Sequence, residues 1–170
     1  MSSKFTPGAR MPEFTLPKVG GGEISVGGKG KWQLAIVYRG KHCPICKRYL
    51  SGIPDLKADL DELGVDVVAM SADSENQATQ MMAEVGVDVA VGYGLDEARM
   101  KELGLYISQP RPTETDHNFP EPGLFVTNPD GNVQIVDISN APFSRPPLDG
   151  IIRGIRHIQT KDYPIRGTAS

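Results

Sequence analysis

Strand-like and helix-like patterns of apolar residues alternate along the first half of the chain. Two short apolar runs, QLAIVY at 33–38 and VDVVAM at 65–70, are typical of β-strands that are buried on both faces. Between them, apolar residues recur at steps of three and four, namely Ile45, Tyr49, Ile53, Leu56, Leu60 and Leu63. This stripe predicts one helix that begins at Pro44, kinks at Pro54 and ends at Gly64.

The middle of the chain continues this alternation. Ser74 followed by Gln77 is a capping-box pattern, which predicts the start of a second helix. DVAVGY at 88–93 predicts a third strand, and DEARMKELGL at 96–105 predicts a short helix. The stretch 106–122 contains four prolines and has no clear period, so it is predicted to be a loop.

The last part of the chain predicts a hairpin and a helix. Two strand-like runs, GLFVT and NVQIVDI, flank the turn residues NPDG. The final helix places five apolar residues on one face, namely Leu148, Ile151, Ile152, Ile155 and Ile158. Strands that alternate with helices need crossover connections, so the first half predicts a parallel sheet to which the hairpin adds antiparallel strands. The sequence therefore predicts an α/β fold with a central mixed sheet and helices on both faces.

A single domain over residues 1–170 fits the length of the chain. Residues 1–30 are rich in Gly and Pro and predict an irregular lead-in with one short hairpin, closed by the GGKGK turn.

The net charge of −3 gives no attraction to nucleic acid or to an anionic membrane. No apolar stretch approaches the roughly 20 residues that span a bilayer, and the start lacks the apolar core of a secretion signal. A cytoplasmic location is therefore expected.

The two cysteines of the chain lie where the first predicted strand gives way to the first predicted helix. A helix that begins at Pro44 directs its free N–H groups and the positive end of its dipole at Cys43, and both favour the reactive thiolate. Nearby cations lower the pKa of a thiol in the same way, and five basic residues are close in sequence: Arg39, Lys41, His42, Lys47 and Arg48. Cys46 follows one helical turn later, so its sulfur is predicted to reach Cys43.

Four roles are open to such a pair of cysteines. A permanent staple is disfavoured where thiols are kept reduced. A zinc site needs further ligands, and the histidines of the chain are His42, His117 and His157. Two core cysteines can also meet at this spacing by chance. A Cys-x-x-Cys motif beside a βαβ pattern is a thioredoxin-like signal, so redox chemistry is favoured, with no cofactor required.

The chain resembles the thioredoxin superfamily and, more narrowly, its peroxiredoxin-like branch, the alkyl hydroperoxide reductase/thiol-specific antioxidant group. Besides CPIC, two pieces carry the resemblance: the opening pattern with Gly8, Pro12, Phe14 and Leu16, and the hairpin GLFVTNPDG. The resemblance implies a thioredoxin-like fold.

The motif departs from the peroxiredoxin pattern at its reactive positions. Peroxiredoxins carry Pro-x-x-x-Thr-x-x-Cys and an Arg before a Gly-Leu-Phe strand. When Cys46 is laid on their peroxide-reducing cysteine, Cys43 replaces the Thr, Arg39 replaces the Pro and Pro122 replaces the Arg. Thioredoxins instead have a second cysteine and a cis-proline that faces the redox pair. By resemblance, Cys43 and Pro122 meet that description.

The sequence thus predicts a thiol–disulfide oxidoreductase that cycles a Cys43–Cys46 disulfide, with Cys43 as the more exposed nucleophile. Pro122, His42 and Arg39 are the candidate substrate-binding residues, of which Arg39, like Arg145, also fits an ordinary surface charge. The expected partners are a protein or low-molecular-weight thiol or disulfide, or a peroxide, and an external thiol reductant; a homodimer is compatible with the sequence.

Two other functions stay open. One is a thiol-dependent peroxidase, in which peroxide oxidises one cysteine of the pair to a sulfenic acid and the other cysteine resolves it. The other is a non-catalytic redox sensor, or a module that shares a metal or cluster between subunits. Metal analysis and the visible absorbance of the protein would distinguish the last function from the two enzymatic ones.

Overall fold

The computed structural model describes residues 4–86 and 88–169, so the first three residues of the predicted lead-in lie outside the described residues. In chain order, the elements are β1 (Phe14–Pro17), β2 (Glu23–Val26), β3 (Trp32–Val37), α1 (Pro44–Ser51), a 3₁₀ turn (Pro54–Leu56), α2 (Lys57–Glu62), β4 (Val65–Met70), α3 (Glu75–Val85), β5 (Ala90–Gly92), α4 (Glu97–Glu102), β6 (Ile107–Ser108), β7 (Phe119–Pro120), β8 (Gly123–Thr127), β9 (Val133–Ile138) and α5 (Leu148–Lys161).

The central sheet has five strands in the order β5-β4-β3-β8-β9. β3 and β4 are parallel, as are β4 and β5, whereas β8 runs antiparallel to both β3 and β9. The apolar runs predicted as buried strands are β3 and β4, which have sheet neighbours on both sides. The predicted mixed sheet is therefore confirmed.

Alternate residues of β3 face two separate cores, as the period of a strand requires. Leu34 and Ile36 belong to a core with residues of α1, α2, α3 and α5. Ala35 and Val37 belong to a second core, which contains residues of α4 and of the β1–β2 hairpin. Helices thus cover both faces of the sheet. None of the helices in the described part of the chain is long and apolar enough to cross a membrane.

The first predicted helix is divided into three pieces, so the prediction of a single kinked helix is wrong. Pro54 has no N–H for the α-helical hydrogen bond, and the backbone tightens around it. Ile53 donates to the carbonyl of Leu50, and Leu56 donates to the carbonyl of Ile53. The apolar stripe nevertheless packs as predicted, because all six of its residues lie in or against the first core.

Two segments predicted to be irregular contain short paired strands. In the lead-in, β1 pairs with β2, and the turn that joins them lies at 18–22, where Lys18 donates to the carbonyl of Gly22. The GGKGK segment instead connects β2 to β3. In the predicted loop at 106–122, β6 pairs with β7. The hairpin of the lead-in was thus predicted with its turn in the wrong place, whereas β6 and β7 were missed because strands of two residues are too short to show a period.

The predicted capping box is present at the start of α3 and gives a test of local stability. Ser74 Oγ accepts from the Gln77 N–H at 3.3 Å, and Gln77 Oε1 accepts from the Ser74 N–H at 2.9 Å. Ser74→Ala removes one side of this box and is expected to lower the free energy of unfolding by about 1 kcal/mol. Urea denaturation measures this loss. Ser74→Asp is the control, because aspartate also caps helices; equal losses for both variants would contradict the capping role.

Candidate active site

The loop after β3 brings the two cysteines to the first turn of α1. Cys43 is the N-cap residue in an extended conformation, and Pro44 occupies the first turn, as the sequence predicts. The Cys46 N–H donates to Cys43 Sγ over 3.3 Å. Both residues are free thiols. The helix N-terminus therefore offers a donor to the Cys43 sulfur, which stabilises its thiolate.

The two thiols differ strongly in acidity. The pKa of Cys43 is lowered to about 5, first by a hydrogen bond with the Cys46 thiol and then by Arg39 and the Cys46 N–H. The pKa of Cys46 is raised, first by its hydrogen bond with Cys43 and then by burial. At neutral pH the negative charge of the pair therefore lies on Cys43, and Cys46 keeps its proton.

Arg39 is the cation that acts on Cys43, and its side chain is held by three neighbours. Arg39 Nε lies 2.9 Å from Glu121 Oε1, and Nη2 lies 3.6 Å from Glu114 Oε2. The guanidinium carbon lies 4.9 Å from the centre of the Phe119 ring. Because Glu121 is buried, it gives Arg39 a partner screened from water. These contacts fix the guanidinium beside the nucleophile.

The other basic residues predicted to support the thiolate do not do so. His42 has its pKa lowered to about 4, mainly by burial, so its ring is uncharged at neutral pH. The ring packs edge-on against Phe119, with 4.5 Å between the ring centres. Lys41 and Lys47 make hydrogen bonds with side chains of α3. The prediction that a whole group of cations acts on Cys43 is therefore wrong, and Arg39 takes this role.

The prediction of a cis peptide bond at Pro122 is also wrong, since no bond is cis within residues 4–86 and 88–169. The Pro122 carbonyl accepts from the Ser139 N–H at 3.0 Å, which extends the pairing of β8 with β9 by one residue. Pro122 thus enters a strand in the ordinary way. It borders a small cavity with Tyr49 and Arg145, and it does not line the cleft beside Cys43.

A cleft of about 450 Å³ opens beside Cys43. Its apolar wall consists of Ile45, Phe119, Pro142 and Phe143, of which Phe143 is 81% exposed. Cys43 lines the cleft although it is only 1% exposed, whereas Cys46 is fully buried and does not line it. The predicted difference in exposure is therefore very small. Access distinguishes the two cysteines, because a bound substrate could reach only Cys43.

Arg145, which the sequence analysis paired with Arg39 as fitting an ordinary surface charge, contacts the buried cysteine. Its Nη2 donates to Cys46 Sγ over 3.0 Å. Ninety-nine positions separate the two residues, so no local motif joins them. Glu121, the partner of Arg39, was missed for the same reason: it lies in the segment predicted to be a loop, far from the cysteines in sequence.

Within residues 4–86 and 88–169, no group of three or more His, Cys, Asp or Glu side chains is arranged to hold a metal ion. The two cysteines themselves offer an ionised thiol backed by a second, protonated thiol.

A sequence model of one family, described as the AhpC/TSA family, matches residues 7–136. The match includes both cysteines, four strands of the central sheet and the first four residues of β9. No curated protein sequence matches the chain.

Solved structures share the fold. A peroxiredoxin-like protein from Aquifex aeolicus superimposes with a TM-score of 0.76 at 19% identity, over 92% of this chain and 89% of that one. The reduced 2-Cys peroxiredoxin of Plasmodium vivax gives 0.77 at 17% identity, over 94% and 84%. AhpC of Mycobacterium tuberculosis gives 0.78 at 13% identity, over 98% and 100%. The predicted thioredoxin-like fold of the peroxiredoxin type is therefore confirmed.

Proposed function

Because the chain belongs to the AhpC/TSA family of thiol-dependent oxidoreductases, we propose that it reduces disulfides by cycling Cys43 and Cys46 between two thiols and one disulfide. One observation carries this proposal: Cys43, the acidic thiol, lines the cleft and accepts from the N–H of Cys46, whose own thiol is buried behind it and keeps its proton. Such a pair both attacks a disulfide and resolves the product of that attack.

The reaction takes two steps. In the first, the Cys43 thiolate attacks one sulfur of a substrate disulfide; the substrate S–S bond breaks, and one half leaves as a thiolate. In the second, Cys46 loses its proton and attacks the Cys43 sulfur, so that the Cys43–Cys46 bond forms and the other half leaves as a thiolate. The protein has then given up two electrons. An external thiol reductant, protein or low-molecular-weight, returns two electrons, and Cys46 regains one proton while Cys43 returns to the thiolate.

Two of the three candidate substrate-binding residues take a role beside the cleft. Arg39 stabilises the Cys43 thiolate and, after attack, is available to an anionic leaving thiolate. His42 supports the wall of the cleft through its contact with Phe119. Pro122 belongs to the sheet beneath and is not assigned to substrate binding. The homodimer and the cytoplasmic location stay predictions.

A thiol-dependent peroxidase is the second candidate, because the solved structures that share the fold are peroxiredoxins. Two observations favour disulfide reduction over it. Cys46, which occupies the position of the peroxide-reducing cysteine, is fully buried and has a raised pKa. The cleft of about 450 Å³ is also many times larger than a peroxide molecule needs, given that one water takes up about 30 Å³ in the liquid.

The two reactions can be separated by their rates at pH 6. There Cys43 is largely ionised, whereas well under ~1% of free cysteine is thiolate. After allowance for the lower nucleophilicity of a more acidic thiol, ionisation alone makes Cys43 about tenfold faster than free cysteine. We expect this modest gain with hydrogen peroxide, and with an aromatic disulfide we expect two released thiols per protein.

Stopped-flow spectroscopy on the fully reduced protein measures both reactions, with free cysteine as the reference. A gain of about a thousandfold or more with peroxide requires groups that polarise the O–O bond. That outcome would replace disulfide reduction with peroxidase activity as the function of the pair.

A further inference from the structure

Arg145 holds a positive charge against a sulfur that has no exposure to solvent. Besides its contact with Cys46, its Nε and Nη2 donate to the Pro142 carbonyl at 3.3 and 3.0 Å. Its guanidinium carbon lies 4.9 Å from the centre of the Tyr49 ring. Two hydrogen bonds to the Pro142 carbonyl and a ring contact thus anchor the guanidinium. From this position, Nη2 also donates to Cys46 Sγ.

The rest of the surroundings of Cys46 oppose its ionisation. The hydrogen bond with Cys43 raises its pKa most, and burial and the negative charge of Cys43 raise it further, whereas Arg145 lowers it. A buried thiolate without a cationic partner is costly. In the free protein the balance keeps the proton on Cys46, as the first step requires.

Formation of the mixed disulfide changes this balance. Once Cys43 is bonded to substrate, its sulfur carries no charge and is a much weaker acceptor for the Cys46 thiol. Two of the influences that raise the pKa of Cys46 are then removed, while the contact with Arg145 stays within reach. The conditions for ionising Cys46 therefore improve at the moment when it has to attack.

We propose that Arg145 is a catalytic residue for the second step, where its guanidinium stabilises the Cys46 thiolate after Cys43 has captured the substrate. The proposal rests on the function proposed above and assigns a cation to the sulfur that attacks in the second step, which Arg145 Nη2 contacts. The Cys46 thiolate attacks the Cys43 sulfur, the Cys43–Cys46 bond forms, and the bond from Cys43 to the substrate breaks. The substrate leaves with the electron pair as a thiolate, and the proton of Cys46 passes to solvent.

A chromogenic aromatic disulfide allows both steps to be followed in one stopped-flow trace, because each step releases one coloured thiolate. Arg145→Gln removes the charge, and Arg145→Lys keeps it on a different group. Arg153→Gln is the matched control, since it makes the same change at an exposed arginine of α5. Thermal unfolding of each variant checks that the fold is retained.

Release of the second coloured thiolate is expected to slow by about 10- to 100-fold in Arg145→Gln, because the Cys46 sulfur loses a charge-assisted hydrogen bond. Its pH midpoint is expected to rise, because the Cys46 thiolate loses its cationic partner. The first release should stay within about twofold of the unchanged protein, and Arg145→Lys should fall between the two. The control variant should leave both steps unchanged.

An unchanged second release in Arg145→Gln, or equal slowing of both releases, would overturn the proposal. If the Gln variant does not fold, Arg145→Lys decides, and an unchanged rate and pH midpoint of its second step count against the role. Failure of the proposed function gives a different result: the unchanged protein itself would release one coloured thiolate or none.

Discussion

Replacing Cys43 with serine is expected to abolish disulfide reduction, whereas replacing Cys46 with serine is expected to stop the reaction one step later. Cys43 lines the cleft and carries the negative charge of the pair, so its loss removes the nucleophile. Without Cys46, the first attack still occurs, but nothing inside the protein resolves the product. Cys46→Ser should therefore accumulate with one substrate half bound to Cys43.

Intact-mass spectrometry after incubation with a disulfide measures this difference directly. Cys46→Ser should gain the mass of one substrate half per chain, and Cys43→Ser should gain none. The double variant is the control for non-specific addition. A covalent adduct on Cys46 in the Cys43→Ser variant would mean that the roles of the cysteines are reversed.

The same variant can identify the natural substrate. Cys46→Ser, added to a cell lysate and purified under non-reducing conditions, should retain proteins or small thiols through Cys43. Cys43→Ser, treated in the same way, shows what is retained without the nucleophile. Molecules found only with Cys46→Ser are the candidates, and a reducing agent should release them.

The central sheet and the placement of the cysteines could be predicted because their causes are local. Apart from Gln33 and Asp66, the runs that became β3 and β4 are apolar, as is typical of strands covered on both faces. Pro44 follows Cys43 directly, so the start of α1 could be located to within one residue. From these two facts alone, Cys43 was placed at a helix N-terminus.

The electrostatic environment of the pair could not be predicted, because it comes from residues distant in the chain. Arg39 was a candidate from its position, but its partner Glu121 lies 82 positions away. Arg145 lies 99 positions from the sulfur that it contacts. His42 was predicted as a cation, and only the packing around its ring decides that it is neutral. Proximity in sequence is therefore a poor guide to charge at a buried site.

Pro122 shows how far a resemblance extends. Its place before GLF matches the place of a cis-proline in thioredoxins. A cis peptide bond was predicted at Pro122 for that reason, and the bond is not cis. In the structure, its carbonyl is bound to the Ser139 N–H within the sheet. The surrounding strands thus follow the peroxiredoxin-type fold, and only the pair of cysteines resembles a thioredoxin site.

Replacing Arg39 with glutamine is expected to raise the pKa of Cys43 and so to move its reactivity to higher pH. In the unchanged protein, alkylation of Cys43 by iodoacetamide should rise as the pH increases through about 5 and then level off, because the thiolate is the reactive form. Arg39 favours that thiolate by its charge and its N–H groups. Without it, the midpoint of the alkylation profile should rise by about one to two pH units.

Arg48→Gln is the matched control, because Arg48 is an exposed arginine of α1 only five positions from Cys43. Its substitution removes the same formal charge, but water screens that charge, so the midpoint should stay close to 5. If both variants shift the profile equally, a general effect of net charge explains the acidity of Cys43. If neither does, the helix N-terminus and the Cys46 thiol are sufficient to stabilise the thiolate. A shift confined to Arg39→Gln identifies Arg39 as the cation that stabilises the Cys43 thiolate.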